Sequence, residues 1–405
     1  MAISRRLKLV LFCSGSAGDV RPFIELGSAL VARGHQVNLV THHGYARQAS
    51  RGGLKHHAFD TAEQYAEFLR NGDALNTPRG LPSFLRDHSF PRINDALNLL
   101  CRHSASDTLL ITSPTFDTAS RMAAEKLGIR ALWLFMAPVQ VAQWALQRKM
   151  RDAMYRVMLG EDINRIRSDS GMPPVEDWDS WLQYSNQSIG QWPAWFAPPD
   201  DRWLPGVNPV GFLIDQPGDD RVLPPEVLDY LDAADRKPLL ITGGTGRYLN
   251  ERFYSVCIGA AKSLDVRAIA VTRDQDLLPK DLPDDLLLVE RLPFAALMPR
   301  CRAVIHHGGL GTIGTAAAAG IPQVILASGA DRPDNGARVE SLGIGEHHLL
   351  TQSSSDRLVH TLAALEQPDV HVRCNEVAGR ILEHDAVDSA CRVVEQFAAQ
   401  AASGP

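Results

Sequence analysis

The chain has 405 residues, 45% hydrophobic and 22% charged, the composition of a globular protein with ample core and, on length, two or three domains. A formal net charge of −6 argues against a nucleic-acid binder, which would show a basic face. Cys13, Cys101, Cys257, Cys301, Cys374 and Cys391 are dispersed without C-x-x-C spacing, so neither a zinc site nor a disulfide framework is indicated, and a reducing cytoplasm fits.

Ser4-Arg5-Arg6-Leu7-Lys8 looks faintly like a twin-arginine export signal. The apolar run behind it is shorter than the about 7–15 residues of an h-region, so residues 7–13 read as the first buried strand. The loop Ser14-Gly15-Ser16-Ala17-Gly18-Asp19-Val20-Arg21-Pro22 leads into a helix predicted over 22–33, with Pro at its favoured first position and Gly34 as its stop. A strand at 36–41 ends on His42-His43, and 108–112 (strand), 118–127 (helix) and 130–134 (strand) follow. Such alternation argues a parallel sheet covered on both faces. The most apolar stretch, 131–146, contains Pro138, Gln140 and Gln143 and falls short of the roughly 20 residues of a membrane span. Residues 136–190 are rich in Trp, Met and Arg with an irregular helical period, and in a bilobed enzyme a substrate pocket would be built there. The Pro-, Gly- and Asp-rich stretch from Trp192 to Asp220 breaks regular structure. The first domain is therefore set at 1–205 and a linker at 206–222.

The second half restarts with a strand at 238–242 that ends in Gly243-Gly244-Thr245-Gly246, a glycine cluster of the kind that cradles phosphate. A helix at 253–264 and strands at 267–271 and 286–290 follow, in a domain placed at 223–385. The most informative stretch is Ile305-His306-His307-Gly308-Gly309-Leu310-Gly311-Thr312: a strand (302–305), a His-Gly-Gly turn, then a helix predicted over 312–319. Glycines let backbone approach a ligand, and the first helical turn leaves N–H donors free with positive potential behind them. That is a diphosphate site. Asp331 lies 24 residues beyond His307, after a strand at 322–327, so it can face the same crevice. A last amphipathic helix covers 388–401.

Weaker signals have plainer readings. Asp177-Trp178-Asp179 and Asp274-Gln275-Asp276 satisfy a D-x-D metal pattern but sit in loop-like acidic stretches. The His pairs at 42–43, 56–57 and 347–348 lack a third ligand at zinc spacing and read as loop histidines, with His42 and His43 able to line a cleft at the strand ends. The N-terminal loop does not supply the G-x-G-x-x-G dinucleotide fingerprint.

The pattern around His307 resembles the donor motif of family-1 glycosyltransferases, an α/β class of two Rossmann-like domains facing each other across a cleft (the GT-B fold). The resemblance implies a nucleotide-diphosphate sugar (UDP- or dTDP-linked) as co-substrate, with no cofactor and no metal. It implies that the diphosphate is held by His307, Gly309, Gly311, Thr312 and Thr245, and that Asp331 and Arg332 grip the sugar. Arg332 stands where the family carries a sugar-binding Gln, Thr315 where it carries a ribose-binding Glu, and Arg291, beside Leu292, where it carries an aromatic against the base. Gly18-Asp19-Val20-Arg21-Pro22 matches the family's G-[HD]-x-x-P, in which Asp19 would be the general base of an inverting transfer. A local role for Asp19, capping the helix, stays open beside it, with His42 or His43 next as base. The terminal helix, 386–405, would pack back on the N-terminal domain.

Gly15-Ser16-Ala17-Gly18-Asp19-Val20, Pro193-Ala194-Trp195-Phe196-Ala197-Pro198-Pro199 and Asp334-Asn335 also resemble the bacterial rhamnolipid rhamnosyltransferase lineage. The implied partner is an apolar hydroxyl-bearing acceptor; a lipid acceptor would bring the chain to a membrane surface without a transmembrane segment. An epimerase of the same fold and a non-catalytic partner subunit are the alternatives.

Overall fold

Leu9, Val10 and Leu11 are fully enclosed and Phe12 nearly so, as a strand covered on both faces requires. That run is β1 (Lys8–Phe12) of the computed structural model, which describes residues 6–77, 80–214, 222–233, 236–247 and 249–402. Around it the described residues build a seven-stranded sheet from β2 (Gln36–Thr41), β3 (Lys55–Ala58), β4 (Thr108–Thr112), β5 (Ala131–Phe135), β6 (Ser188–Gly190) and β7 (Val207–Pro209). The order is β3-β2-β1-β4-β5-β6-β7 and every pairing is parallel. A second, six-stranded parallel sheet holds β8 (Leu239–Thr242), β9 (Ala268–Val271), β10 (Leu286–Val289), β11 (Ala303–His306), β12 (Gln323–Ala327) and β13 (Gly345–Leu349), in the order β10-β9-β8-β11-β12-β13. The strand order reverses between β1 and β4 in one sheet and between β8 and β11 in the other. Loops leaving such strands at their carboxyl ends are where open parallel sheets place ligands.

The chain divides into two compact units, Met1–Leu213 with Ala386–Pro405, and Ile214–Asp385. The terminal helix, Ala386–Ala402, belongs to the first: Ala390, Cys391 and Val394 share a core with Val20, Phe23 and Leu26 of the helix Ala17–Ala32. Glu395 ties the same two helices together, accepting from Arg33 at 2.9 Å and meeting His35 Nε2 at 3.1 Å. Among the described residues no helix is long and apolar enough to cross a membrane.

Three sequence expectations change. Val207–Pro209, inside the expected linker, is an edge strand, and the neighbouring Trp192 and Trp203 pack edge-to-face at 5.9 Å inside the first unit. Residues 215–221 of that linker lie outside the described residues. The first helix begins at Ala17 and not at Pro22, because Ser16 takes the extended N-cap geometry and Asp19 closes a capping box with it. Pro22 therefore sits inside the helix, and the Gly18 carbonyl four residues back has no helical N–H to accept; Gly18 is exposed, so water can serve it. His56-His57 and His347-His348 lie on β3 and β13 rather than on loops, where His57 meets Asn38 Oδ1 at 3.0 Å and His348 meets Thr361 Oγ1 at 2.8 Å.

The contact between β12 and β13 yields a test. A methyl on Gly345 would stand 2.2 Å from the Gln323 carbonyl oxygen of the adjacent strand, which cannot swing aside as a side chain would. Gly345→Ala should destabilise the second unit by about 1–3 kcal/mol, the usual cost of overpacking, read as a lower urea midpoint. A midpoint equal to that of the native chain would show that β13 shifts freely.

Candidate functional site

In the second unit the turn after β11 carries His307-Gly308-Gly309 into the helix Leu310–Ala318, with Gly309 as N-cap. Gly308 has φ +95°, and a Cβ there would lie 2.9 Å from Ile325 Cγ2 and 3.2 Å from Arg332 Cβ, so only glycine fits. The His307 ring is held between two backbones. A Cβ on Gly309 would come within 2.6 Å of its Nε2, and one on Gly244 (φ +86°) within 2.6 Å of its Cε1. Gly244 precedes Thr245 in the loop after β8, so both loops at the strand-order reversal meet on this ring. Thr245 itself is exposed.

Both polar groups of Gly308 are bonded inward. Its N–H donates to His306 Nδ1 at 3.2 Å, which leaves His306 Nε2 to donate to Gln323 Oε1 at 3.1 Å; Gln323 Nε2 then donates to the Ile313 carbonyl at 3.3 Å. Its carbonyl accepts from Asn335 Nδ2 at 3.0 Å, and the same amide donates to Asp331 Oδ2 at 2.8 Å. Two acceptors on one nitrogen fix the amide orientation, since the flipped form would oppose oxygen to oxygen. The N–H groups of Leu310, Gly311 and Thr312 open the helix without intrahelical partners and form an anion-binding end.

Burial pushes His306 down to about 4, against its bond with Gln323. His307 is held well below its ordinary value by burial, with the nearby Arg332 cation adding to the effect. Both rings are neutral at pH 7, and His307 Nδ1 is buried without a protein partner among the described residues. Such an atom requires an explanation, and a ligand provides one. Asp331 has its pKa raised by burial, opposed by Arg332 and Asn335. The residue before it, Ala330, has φ +53°, a strained conformation of the kind kept at functional sites. Arg332 is buried and donates through Nη1 to Ser328 Oγ at 2.9 Å.

The other expected donor residues lie as follows. Thr312 is half-buried on the first helical turn and Gly311 is exposed there. Thr315 donates its hydroxyl to the Gly311 carbonyl at 2.8 Å. Arg291 is exposed after β10, and Leu292 packs in the core of the second unit, so only its backbone is left for a ligand.

In the first unit the loop after β1 is organised in the same way. Gly15 donates its N–H to His42 Nε2 at 2.9 Å and accepts from Tyr65 Oη at 3.2 Å; Tyr65 and Tyr45 share a hydroxyl contact of 2.7 Å. His42 Nδ1 meets Asp60 Oδ2 at 2.6 Å, and its ring stacks on Tyr65 with centroids 4.3 Å apart. Because Nε2 accepts the Gly15 N–H, Nδ1 carries the proton. Burial lowers the His42 pKa despite Asp60. The ring is therefore a fixed, neutral brace, and the expectation that His42 could stand in as base is withdrawn, since its lone pair is occupied. Ser14 Oγ, 3.1 Å from Nε2, completes the order of a hydrolase triad, but for the same reason cannot pass a proton to that nitrogen. His43 is exposed, with its N–H on Asp60 Oδ1 at 2.7 Å. Ser14, His42, Asp60, His88 and Phe116 line a cavity of about 30 Å³.

Asp19 lies on the first turn of the helix Ala17–Ala32, half-buried. Its Oδ2 accepts the Ser16 N–H at 2.9 Å and the Ser16 hydroxyl at 3.1 Å. A Cβ on Gly15, whose φ is +142°, would fall 2.4 Å from that oxygen, so glycine is what admits the carboxylate.

The D-x-D acids are engaged elsewhere: Asp276 with Arg247 at 2.6 Å, Asp179 with Arg148, and Asp177 as cap to Ser180. Gln323, Asn335, Asp60 and Tyr65 went unread in the sequence as site residues. A Gln within the apolar run of β12, and an Asn one helical turn after Asp331, were the available signals.

Residues 9–139 match the glycosyltransferase family 28 N-terminal domain, and residues 255–396 match the erythromycin biosynthesis protein CIII-like C-terminal domain. The chain is 27% identical to O-mycaminosyltylonolide 6-deoxyallosyltransferase of Streptomyces fradiae over 97% of its own length and 98% of that protein's. It is 31% identical to aklavinone 7-beta-L-rhodosaminyltransferase of Streptomyces galilaeus, with 84% of each covered. Among solved structures, the glycosyltransferase VinC in complex with dTDP matches with a TM-score of 0.64 at 19% identity, over 97% of this chain and 99% of that one. Two parallel-sheet α/β units and these neighbours make the fold GT-B. With a family 28 N-terminal domain, a CIII-like C-terminal domain and a relative at 31% identity over most of both chains, the protein belongs to the glycosyltransferases of the family-1 type.

Proposed function

We propose that this enzyme moves a sugar from a dTDP- or UDP-linked donor to a hydroxyl of an apolar small molecule, inverting the anomeric centre, with Asp19 as general base and without a metal ion. The observation that carries the donor half is the buried, unpartnered His307 Nδ1 beside a helix N-terminus whose glycine turn is braced from behind. The relatives named for 6-deoxyallosyl transfer to O-mycaminosyltylonolide and rhodosaminyl transfer to aklavinone support a natural-product acceptor and donor of that kind. Resemblance of the loop from Gly15 to Val20 to the rhamnolipid lineage points to a similar sugar class. Six free cysteines suit a reducing cytoplasm.

In the reaction the acceptor oxygen attacks the anomeric carbon as its proton passes to the Asp19 carboxylate. The bond from that carbon to the phosphate oxygen breaks, and its electron pair leaves on the nucleoside diphosphate. N–H groups at the helix end and the His307 ring meet the charge that develops there, and Asp331 takes a sugar hydroxyl.

Asp19→Asn should lower turnover by about 10²–10⁴-fold, the range for loss of a general base. An Asn oxygen can still accept the Ser16 N–H, so the helix start is preserved, and the melting temperature and donor affinity should hold. Near-native turnover would leave Asp19 as a helix residue only. The product's anomeric configuration, read by NMR coupling constants, should be opposite to the donor's; retention would overturn the single displacement.

His307→Ala should weaken donor binding and slow turnover together, because it removes a contact to the diphosphate while the Gly308 braces remain. Unchanged kcat and KM for the donor would sink the site. EDTA should leave the rate unaltered, and inhibition reversed by Mn²⁺ would return attention to the D-x-D segments.

A further inference from the structure

The leaving diphosphate gains negative charge as the glycosidic bond breaks, and a neutral imidazole can offer it a hydrogen bond but no countercharge. His307 is such an imidazole. A helix end contributes partial charge only. The permanent cation at this turn is Arg332, the first residue of the helix Arg332–Ser341. Its Cβ lies against the position a Gly308 side chain would fill, so its helix abuts the same turn that presents His307 and the N–H groups of Leu310 and Gly311. Its guanidinium is buried and splinted by Ser328 Oγ at 2.9 Å, which limits the rotamer freedom lost when an anion binds. His306 is neutral and bonded to Gly308 and Gln323.

We infer that Arg332 binds the β-phosphate of the nucleotide donor, and stabilises it as the leaving group, instead of gripping the sugar as the Gln at this position of the family does. The inference rests on the donor-site reading above. It assigns the two neighbours different tasks: Asp331 reads the sugar and Arg332 the phosphate that departs from it. A fixed guanidinium at the departing oxygen supplies the charge that a divalent cation would otherwise supply, and it does so for any sugar the donor carries.

The test compares dTDP, dTMP and a dTDP-sugar, and UDP with UMP in parallel, by titration calorimetry on the full-length native protein, Arg332→Gln and Arg332→Lys. A lost charge-assisted contact corresponds to a drop of about 10- to 100-fold. Arg332→Gln should weaken the diphosphate by that factor and leave the monophosphate, which has no β-phosphate, within about two-fold of native. Arg332→Lys should recover part of the loss because it restores the charge. Unchanged monophosphate affinity also shows that the variant's site is folded. If Arg332→Gln binds dTDP and UDP like the native chain and loses only the nucleotide sugar, Arg332 holds the sugar and the inference is overturned. Equal loss of diphosphate and monophosphate would mean a structural role and would overturn it too. Native protein that binds neither nucleotide would overturn both the inference and the donor site beneath it.

Discussion

Each sheet presents its functional loop through one glycine whose N–H and C=O are both bonded to buried side chains behind it. For Gly308 the partners are His306 and Asn335; for Gly15 they are His42 and Tyr65. The constraint follows from satisfying backbone polar groups away from water. A strand that ends at the reversal of strand order has no further ladder partner, so its last amides need side-chain partners or a ligand. Binding the glycine inward turns the next N–H groups outward. The histidines that do this must be neutral, because each uses one nitrogen as acceptor, and burial keeps them so. Changing either glycine would remove the positive-φ turn and press a methyl onto Ile325 in one loop or onto Asp19 in the other.

Much of the fold was legible. Nine of the strands appear where apolar runs bounded by Gly or charge predict them, within a residue at each end, because buried parallel strands are nearly all apolar. β3 and β13 were not read, since Lys55-His56-His57-Ala58 and Gly345-Glu346-His347-His348-Leu349 carry too little apolar signal; they take strand geometry by pairing at sheet edges. β7 hid within a Pro-rich stretch for the same reason. The misplaced start of the first helix came from weighing Pro22 above Ser16, although the serine cap and its Asp three residues on was also present in the sequence.

Of the candidate site, the glycine turn around His307 was legible from its spacing, and its supports less so. Asn335 and Gln323 are ordinary polar residues until the fold brings one under Gly308 and the other under His306. Asp60 reaches His42 across 18 positions, from β3's loop to β2's. Such long-range hydrogen bonds leave no local pattern, and only the unusual burial of a Gln among Val, Ile and Leu could have marked one of them. The His42 expectation failed for a related reason: a sequence cannot say which ring nitrogen is already in use.

The departures from the family pattern in the second unit have a common consequence. Where the family places a carboxylate on the ribose, the Thr315 hydroxyl is committed to the Gly311 carbonyl, one turn back in its own helix. Where it stacks an aromatic on the base, Arg291 is exposed and Leu292 is turned into the core. On the proposed reading, side-chain recognition of the nucleoside is therefore reduced, while the diphosphate end retains a helix terminus, two glycine cradles and a half-buried imidazole, with a buried guanidinium beside them. Donor affinity would then, on that reading, come chiefly from the phosphates, whose contacts are shared by every nucleotide sugar. Under the same proposal, discrimination between sugars falls on Asp331, whose carboxylate is fixed by Asn335 to the same glycine turn that would hold the phosphates. The one Asn335 amide thus holds the Gly308 turn and the Asp331 carboxylate at a fixed separation, so that displacement of one carries the other with it, and on the proposed reading the sugar and the leaving group are positioned together.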